Sequence, residues 1–330
     1  MKIHAMCLVK NESDIIAQTL IAATSWCDFI YVFDNGSTDT TWEKVLSLSK
    51  SYEQIIPYKQ DNCPFDDSLR SQMFNHYRAT FNDGDWCSRL DADEIYIDDP
   101  RLFLAKVPAK YEVVCAAMFN YYFTDKDLER YKKEPSLYAD DVPVEQKCRY
   151  YQNKFSEIRF FRYRKDLVWR EKAECLIWSD YKDWPLSLTG DAYPVRIWLK
   201  NYQYRSPQQI QKRIDTRRGL TSRGLFPQEM EYQWTQWQKF TTNVLSEDRF
   251  WSWKSRIVEA DTLDYDAHDR RFILREDLMP DMNKILISYD IKKTPRNLIR
   301  RLARRGKRKL VQLGLLSNPL KQESKESAPI

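Results

Sequence analysis

The sequence predicts an α/β fold in which a mostly parallel sheet is flanked by helices. Its first 120 residues alternate short apolar runs with helix-like stretches, and the connections between them are short. Two acidic, turn-rich segments each follow a predicted strand, at the sheet edge where ligands gather in such folds. Glycine is rare, at 7 of 330 residues, and neither of the common glycine-rich phosphate-loop patterns occurs. This argues against a site built from a glycine loop.

The alternation predicts four strands with three helices between them in the first 90 residues. The predicted strands are Ile3–Val9, Phe29–Phe33, Gln54–Tyr58 and Trp86–Leu90. The predicted helices are Ser13–Ser25, Thr38–Ser51 and Ser68–Phe81. The second of these follows polar residues, and we expect Ser37 or Thr38 to cap it. Longer aromatic strands are predicted over Glu112–Tyr122 and Lys154–Tyr163, and a helix over Ser206–Gly219, where Pro207 takes the first helical position.

The net charge of +5 is divided unevenly along the chain. Residues 292–330 contain 12 Lys/Arg and two Glu, a net of +10, so the first 291 residues carry −5. The span 297–316 predicts a basic amphipathic helix, which suits an anionic membrane surface. A solvated or partner-binding helix is the next alternative, and nucleic-acid binding through phosphates is the least favoured. Residues 317–330 are expected to be disordered.

The seven cysteines indicate a reducing compartment. They are scattered, odd in number, never in a CxxC pair and mostly within apolar runs, so we expect reduced core cysteines rather than disulfides or a zinc site. The amino terminus does not resemble a signal peptide, and no apolar run approaches the ~18 residues of a membrane span. A cytoplasmic protein is expected, held peripherally at the inner face of the plasma membrane by its basic tail.

Two acidic motifs carry the candidate chemistry. Asp91 and Asp93 are two residues apart, so in an extended segment both face one side. Two carboxylates on one side can coordinate Mg²⁺ or Mn²⁺, and such an ion can also coordinate phosphate oxygens of a substrate. The alternative for this motif is an exposed acidic turn. The segment FDNGSTD is a turn by composition, and it leaves Asp34 at a strand end to contact a ligand.

Three ordered segments carry a family resemblance: CLVKNE at 7–12, FDNGSTDTT at 33–41 and GDWCSRLDADE at 84–94. Together they resemble the signature of bacterial family 2 glycosyltransferases with the GT-A fold, over about residues 1–125. A fainter block, WREKAECLIW and KNYQYRSPQQIQKRIDTR, resembles the later half of such enzymes. The resemblance implies a GT-A catalytic domain over 1–205, with a nucleotide-binding half (1–125) and an acceptor half (126–205). A helical extension (206–290) and the tail (291–330) would follow.

The resemblance also implies how the donor is held. The nucleotide-binding residues would be Leu8, Val9, Asn11, Glu12, Asp34, Asn35, Ser37, Arg70 and Asp91. Asp34 would hydrogen-bond the base, with Asn35 and Ser37 shaping the turn. Asp93 would be the main ligand of Mn²⁺ or Mg²⁺, assisted by Asp91 and by Asn201, which stands where relatives often carry a histidine. The donor would be a nucleotide-diphosphate sugar, a UDP-sugar first.

An inverting transfer needs a base to take the acceptor proton. Glu174 is the first candidate, because many relatives carry a His-Glu pair there, although this chain has Ala173 in place of the histidine. Asp191 is the second, and a surface salt bridge is the alternative role for Glu174. Arg205 would bind a phosphate or lie on the surface. The acceptor-side tryptophans, which would stack on sugars or fill the core, are Trp169, Trp178, Trp184 and Trp198.

These residues predict a metal-dependent, inverting glycosyltransferase of the hexosyltransferase type. It would transfer sugar to a hydroxyl of a glycan or lipid-linked acceptor, as in polysaccharide biosynthesis. A nucleotidyltransferase is the first alternative, although the loop LVKNESD lacks the glycine expected of one. The second alternative is a non-catalytic sugar- or membrane-binding module in which DADE is vestigial.

Overall fold

The computed structural model describes residues 1–63, 65–171, 184–185, 188, 191–221, 252–267 and 272–288. Its first four strands form the parallel half of one sheet, in the order β3-β2-β1-β4. These strands are β1 (Ile3–Val9), β2 (Phe29–Asp34), β3 (Ile55–Gln60) and β4 (Trp86–Asp91). The helices between them are α1 (Ile16–Thr24), α2 (Thr41–Ser49) and α3 (Arg70–Tyr77). The α/β class predicted from the sequence is confirmed.

The sheet continues beyond β4 in the order β7-β6-β9-β5, with β7 antiparallel to both β4 and β6. The remaining strands are β5 (Glu94–Tyr96), β6 (Tyr111–Tyr122), β7 (Tyr150–Arg162), β8 (Asp191–Ala192), β9 (Ile197–Asn201) and β10 (Asp264–Tyr265). The remaining helices are α4 (Pro100–Ala105), α5 (Asp125–Lys133), α6 (Val144–Lys147), α7 (Pro207–Thr221) and α8 (Met282–Ser288). Because β9 runs parallel to β6, Asn201 ends its strand at the same edge as Asp91.

Strand β1 explains why helices cover both faces of the sheet. All seven of its residues are buried, as expected of an apolar run at the centre of a parallel sheet. Alternate side chains, such as Cys7, pack toward α1 and α2, whereas Met6 and Leu8 pack toward α3. This two-sided burial fixes the strand register, and with it the position of the loop that follows β1.

The helix starts differ from those expected. Helix α1 begins at Ile16 rather than Ser13, after Asn11 adopts a positive φ of 57°. Helix α2 begins at Thr41, where the Asp39 carboxylate accepts from the Thr41 backbone N–H. The capping expected of Ser37 or Thr38 is therefore wrong, because Ser37 Oγ instead accepts from Asn11 N–H. The two loops that follow β1 and β2 are thus tied to each other.

Two further expectations from the sequence concern the state of the cysteines and the presence of membrane-spanning helices. The six cysteines in the described part of the chain are free, and five of them are buried. Among the described residues, no helix has the length and apolar character needed to cross a bilayer. The predicted basic helix at 297–316 and the rest of the tail lie outside the described residues.

Candidate active site

A cavity of about 200 Å³ opens at the carboxyl ends of β1 and β4. Helix α7 forms one wall, and segment 65–67 forms another. The structure brings seven of the residues predicted for donor and metal binding to this cavity: Leu8, Asn11, Glu12, Arg70, Asp91, Asp93 and Asn201. This is the edge at which ligands bind in parallel α/β sheets.

Asp91 is held by arginines from three elements. Its Oδ1 accepts from Arg70 at 2.5 Å and its Oδ2 from Arg159 at 3.2 Å, while Arg89 Nε lies 3.8 Å away. Burial raises the pKa of Asp91, but the guanidiniums of Arg159, Arg89 and Arg70 outweigh it and hold the pKa well below its usual value. Asp91 is therefore ionised, with both carboxylate oxygens engaged by protein cations.

Asp93 differs from Asp91 although the motif places them side by side. The strand ends at Asp91, and Ala92 and Asp93 form a turn rather than the extended segment assumed from the sequence. In the described part of the chain, the Asp93 carboxylate accepts no hydrogen bond. Its neighbouring cations are Arg213 at 3.7 Å and Arg205 at 3.9 Å. Asp93 is the less exposed carboxylate of the two, with 13% of its side chain exposed against 28% for Asp91, but it is the one without a hydrogen bond in the described part of the chain.

The donor set fits a divalent cation that shares its coordination with substrate. Among the described residues, no group of three His, Cys, Asp or Glu side chains could hold a metal by itself. Mg²⁺ is commonly bound through one or two carboxylates plus substrate phosphates. Asp93 offers one carboxylate, and Asn201, whose Nδ2 donates to Asn120 Oδ1, also lines the cavity. Asn201 can thus present its amide oxygen as a second ligand.

Asp34 has an unoccupied acceptor. Its Oδ1 accepts from Ser37 N–H at 2.6 Å, whereas its Oδ2 is buried with no hydrogen-bond partner in the described part of the chain. The side chain is fully buried, and the neighbouring Asn35 Nδ2 donates to the carbonyls of Asp61 and Cys63. The segment that follows β3 therefore covers the end of β2.

Arg205 has a different environment from the one expected. It is fully buried, and its guanidinium donates to both oxygens of Asp14, to Glu12 and to the carbonyl of Tyr202. No surface remains through which it could bind a phosphate. Arg205 instead ties the loop after β1 to the connection between β9 and α7.

Four residues predicted for donor binding are not among those that line the cavity: Val9, Asp34, Asn35 and Ser37. Val9 lies in the core, where it pairs with Asp34. Asp191 pairs with Tyr111 at the beginning of β6, whereas Asn201 pairs with Asn120 near the end of that strand. Asp191 is thus at the opposite edge of the sheet.

The remaining predictions concern the acceptor side. Trp169 and Trp184 stack on each other within the core, with ring centroids 6.4 Å apart, so they fill the interior. Trp198 is half-buried beside Phe119. Glu174 and Trp178 lie outside the described residues.

Sequence reasoning missed four basic residues that line the cavity: Lys10, Arg89, Arg213 and Arg217. Arg213 and Arg217 are one helical turn apart in α7, so they share a face of that helix. Their four-residue spacing in KRIDTRRG was visible in the sequence. The identity of the surface that this face would meet was not.

Gly36 offers a test of how tightly the turn after β2 is packed. It has a φ of 76°, and a Cβ added there would lie 2.7 Å from Asn62. Gly84 also has a positive φ, of 92°, but a Cβ there would meet nothing within 4 Å. We expect Gly84→Ala to cost about 1 kcal/mol through backbone strain alone. Gly36→Ala should cost about 1–3 kcal/mol more, measured by urea unfolding, because overpacking is added. Equal losses would contradict the close approach of Asn62.

Comparison with known proteins gives only distant likenesses. No family model matches the chain, and no curated protein matches its sequence. One similar solved structure is the mannosyltransferase PcManGT from Pyrobaculum calidifontis in complex with GDP-Man and Mn²⁺ (TM-score 0.30, 13% identity, 49% of this chain and 44% of that one). Another is S. aureus TarS 1–349 (TM-score 0.32, 11% identity, 65% and 63%).

A third similar structure belongs to the other enzyme class considered. It is a Bacillus anthracis protein assigned as a glucose-1-phosphate thymidylyltransferase, in complex with a sucrose (TM-score 0.27, 10% identity, 36% of this chain and 55% of that one). The chain thus spans between 44% and 63% of these three proteins. Likenesses at this level assign neither an activity nor a residue role.

Proposed function

We propose that this chain is a glycosyltransferase of the GT-A type, similar to family 2 enzymes, that uses a nucleotide-diphosphate sugar. One observation carries the proposal. The Asp93 carboxylate, which accepts no hydrogen bond from the described residues, lies with basic side chains in a cavity at the carboxyl ends of parallel strands. That combination suits a diphosphate held partly through a divalent cation.

The base of the donor would bind at the end of β2. Within the described residues the buried Oδ2 of Asp34 has no hydrogen-bond donor, and an imide or amide N–H of a base would satisfy it. Leu8 and Phe65 line the cavity and supply apolar surface for a base ring. Because Asp34 is fully buried, the segment that covers it has to shift when the base enters.

Asp93 and Asn201 are the residues that would hold Mn²⁺ or Mg²⁺. A divalent cation there would neutralise charge developing on the leaving diphosphate. The chain's own contribution is to fix the turn on which Asp93 lies. The Tyr202 N–H donates to the Asp93 carbonyl at 2.9 Å, which joins that turn to the end of β9.

The transfer itself would be a single displacement. The acceptor hydroxyl oxygen attacks the anomeric carbon, the bond from that carbon to the diphosphate oxygen breaks, and a protein base takes the hydroxyl proton. This gives inversion at the anomeric carbon. Glu174 remains our candidate base on the family resemblance, since Asp191 lies at the other edge of the sheet. The acceptor would be a hydroxyl of a glycan or of a lipid-linked glycan.

The tail would determine where this reaction takes place. Its net charge of +10 over residues 292–330 suits an anionic membrane surface, where a lipid-linked acceptor would reside. We therefore propose a peripheral enzyme at the inner face of the plasma membrane.

The test is to incubate the purified chain with UDP-, GDP- and dTDP-sugars and Mn²⁺ and to measure release of the nucleoside diphosphate. We expect release from one donor class. Pyrophosphate release from a nucleoside triphosphate and a sugar 1-phosphate would instead indicate a nucleotidyltransferase. Binding of glycans or vesicles without any nucleotide turnover would indicate a non-catalytic module.

A further inference from the structure

The cavity carries more positive than negative side chains, although a pair of carboxylates defines its motif. Its basic lining residues are Lys10, Arg70, Arg89, Arg213 and Arg217. Its acidic lining residues are Glu12, Asp67, Asp91 and Asp93. The lining residues therefore carry a formal net charge of +1 before any divalent cation binds, which the sequence did not suggest.

Two of these arginines are occupied by the carboxylates beneath the cavity. Arg70, which is 2% exposed, donates to Asp67 and Asp91, and Arg89 donates to Asp67. These two arginines hold Asp67 and Asp91 in place and neutralise their charge. The other basic lining residues belong to α7 and to the loop after β1.

Helix α7 is anchored so that its basic face stays against the cavity. Asn11 Nδ2 donates to Thr216 Oγ1 at 3.1 Å, and Lys212 pairs with Asp39 in the loop after β2. Between these anchors, the Arg213 guanidinium lies 3.7 Å from Asp93 and 3.9 Å from Glu12. Arg217 follows one turn later and lines the same cavity.

We propose that Arg213 and Arg217 contact the diphosphate of the donor directly, so that the nucleotide binds even without a divalent cation. This inference rests on the proposed function. Guanidinium groups bind phosphate oxygens bidentately and keep their charge at any physiological pH. Arg213 also offsets the negative charge of Asp93 and Glu12, which would otherwise repel a diphosphate.

The experiment measures nucleotide affinity rather than turnover. UDP, GDP and dTDP are titrated by calorimetry into the full chain, once with Mn²⁺ and once with EDTA. The variants are Arg213→Gln and Arg217→Gln. The matched control is Arg130→Gln on α5, which removes an arginine that is 42% exposed and lies outside the cavity lining. Thermal melting of each variant shows that it is folded.

We expect the wild type to bind one diphosphate in EDTA, and each cavity variant to bind it about tenfold or more weakly. Arg130→Gln should bind as the wild type does. The substitutions should weaken binding of the matching nucleoside monophosphate less than binding of the diphosphate. If the arginines had a purely structural role, both nucleotides would be weakened equally. Arg213→Lys keeps the charge without the planar fork, so its affinity should fall between those of the wild type and Arg213→Gln.

Two results would contradict this inference but leave the proposed function intact. One is that nucleotide binding by the wild type requires Mn²⁺, and the other is that the cavity variants bind nucleotide in EDTA as tightly as the wild type does. If no nucleoside diphosphate binds the wild type even with Mn²⁺, the proposed function fails as well. The two failures are therefore distinguishable.

Discussion

Asp93→Asn should lower sugar transfer at least about 100-fold while leaving the protein folded. Asparagine keeps the shape of the side chain but removes the charge that a divalent cation and the arginines of the cavity face. The fold has little to lose, because the Asp93 carboxylate accepts no hydrogen bond in the described part of the chain. Its ion-pair distances of 3.7 and 3.9 Å are long. The loss should therefore appear in turnover rather than in stability.

The measurement is nucleoside diphosphate release at saturating donor and Mn²⁺, together with thermal melting. Asp261→Asn is the control, since Asp261 is 88% exposed and pairs only with the surface residue Lys126 in the described part of the chain. It should retain wild-type activity. If Asp93→Asn keeps activity within a few-fold of wild type, the role proposed for this carboxylate is wrong.

Arg205→Met should destabilise the protein by about 3–5 kcal/mol. The substitution removes a fully buried guanidinium that pairs with Asp14 and Glu12, and it leaves only Arg213, 3.9 Å away, as the ion-pair partner of Glu12 in the described part of the chain. In the wild type, burial acts to raise the pKa of Asp14, but Arg205 outweighs it and the pKa is lowered. Without Arg205, burial would dominate, so the carboxylate must either take up a proton or remain charged in a poor environment.

Urea unfolding at pH 7 measures this loss, and Lys126→Gln, at the exposed ion pair with Asp261, should change stability by less than about 1 kcal/mol. Adding Asp14→Asn to Arg205→Met should recover part of the loss, because one stranded charge is removed. A loss below about 1 kcal/mol for Arg205→Met would show that the cluster does not depend on this arginine.

The parallel half of the sheet could be predicted because its strands are continuous apolar runs that end in turn-forming residues. Burial on both faces makes such runs, and β1 keeps the bounds expected from the sequence. The loop after β1 could not be predicted as well. Asn11 adopts a positive φ because its side chain bonds Thr216 and the Thr38 N–H, and the Thr216 contact spans 205 residues of chain.

The candidate site was predicted in its carboxylates but not in their partners. The motif DADE identified Asp91 and Asp93 as neighbours, but it gave no sign that Arg159 of β7 would engage Asp91 across 68 residues of sequence. The environment of Arg205 could not be predicted either, because this arginine is fully buried rather than at the surface or in contact with a phosphate. A single sequence does not distinguish an arginine that meets solvent from one that is enclosed by two carboxylates.

Helix α7 lies wholly beyond the boundary that the sequence suggests at residue 205, and yet it forms a wall of the cavity. Cutting the chain there would keep most of the sheet but would open the cavity to bulk water. Under the proposed function, exchange of the carboxyl-terminal part between related proteins would then change the donor site as well as the basic tail. An engineer who treats the two parts as separable should therefore transfer α7 together with the sheet.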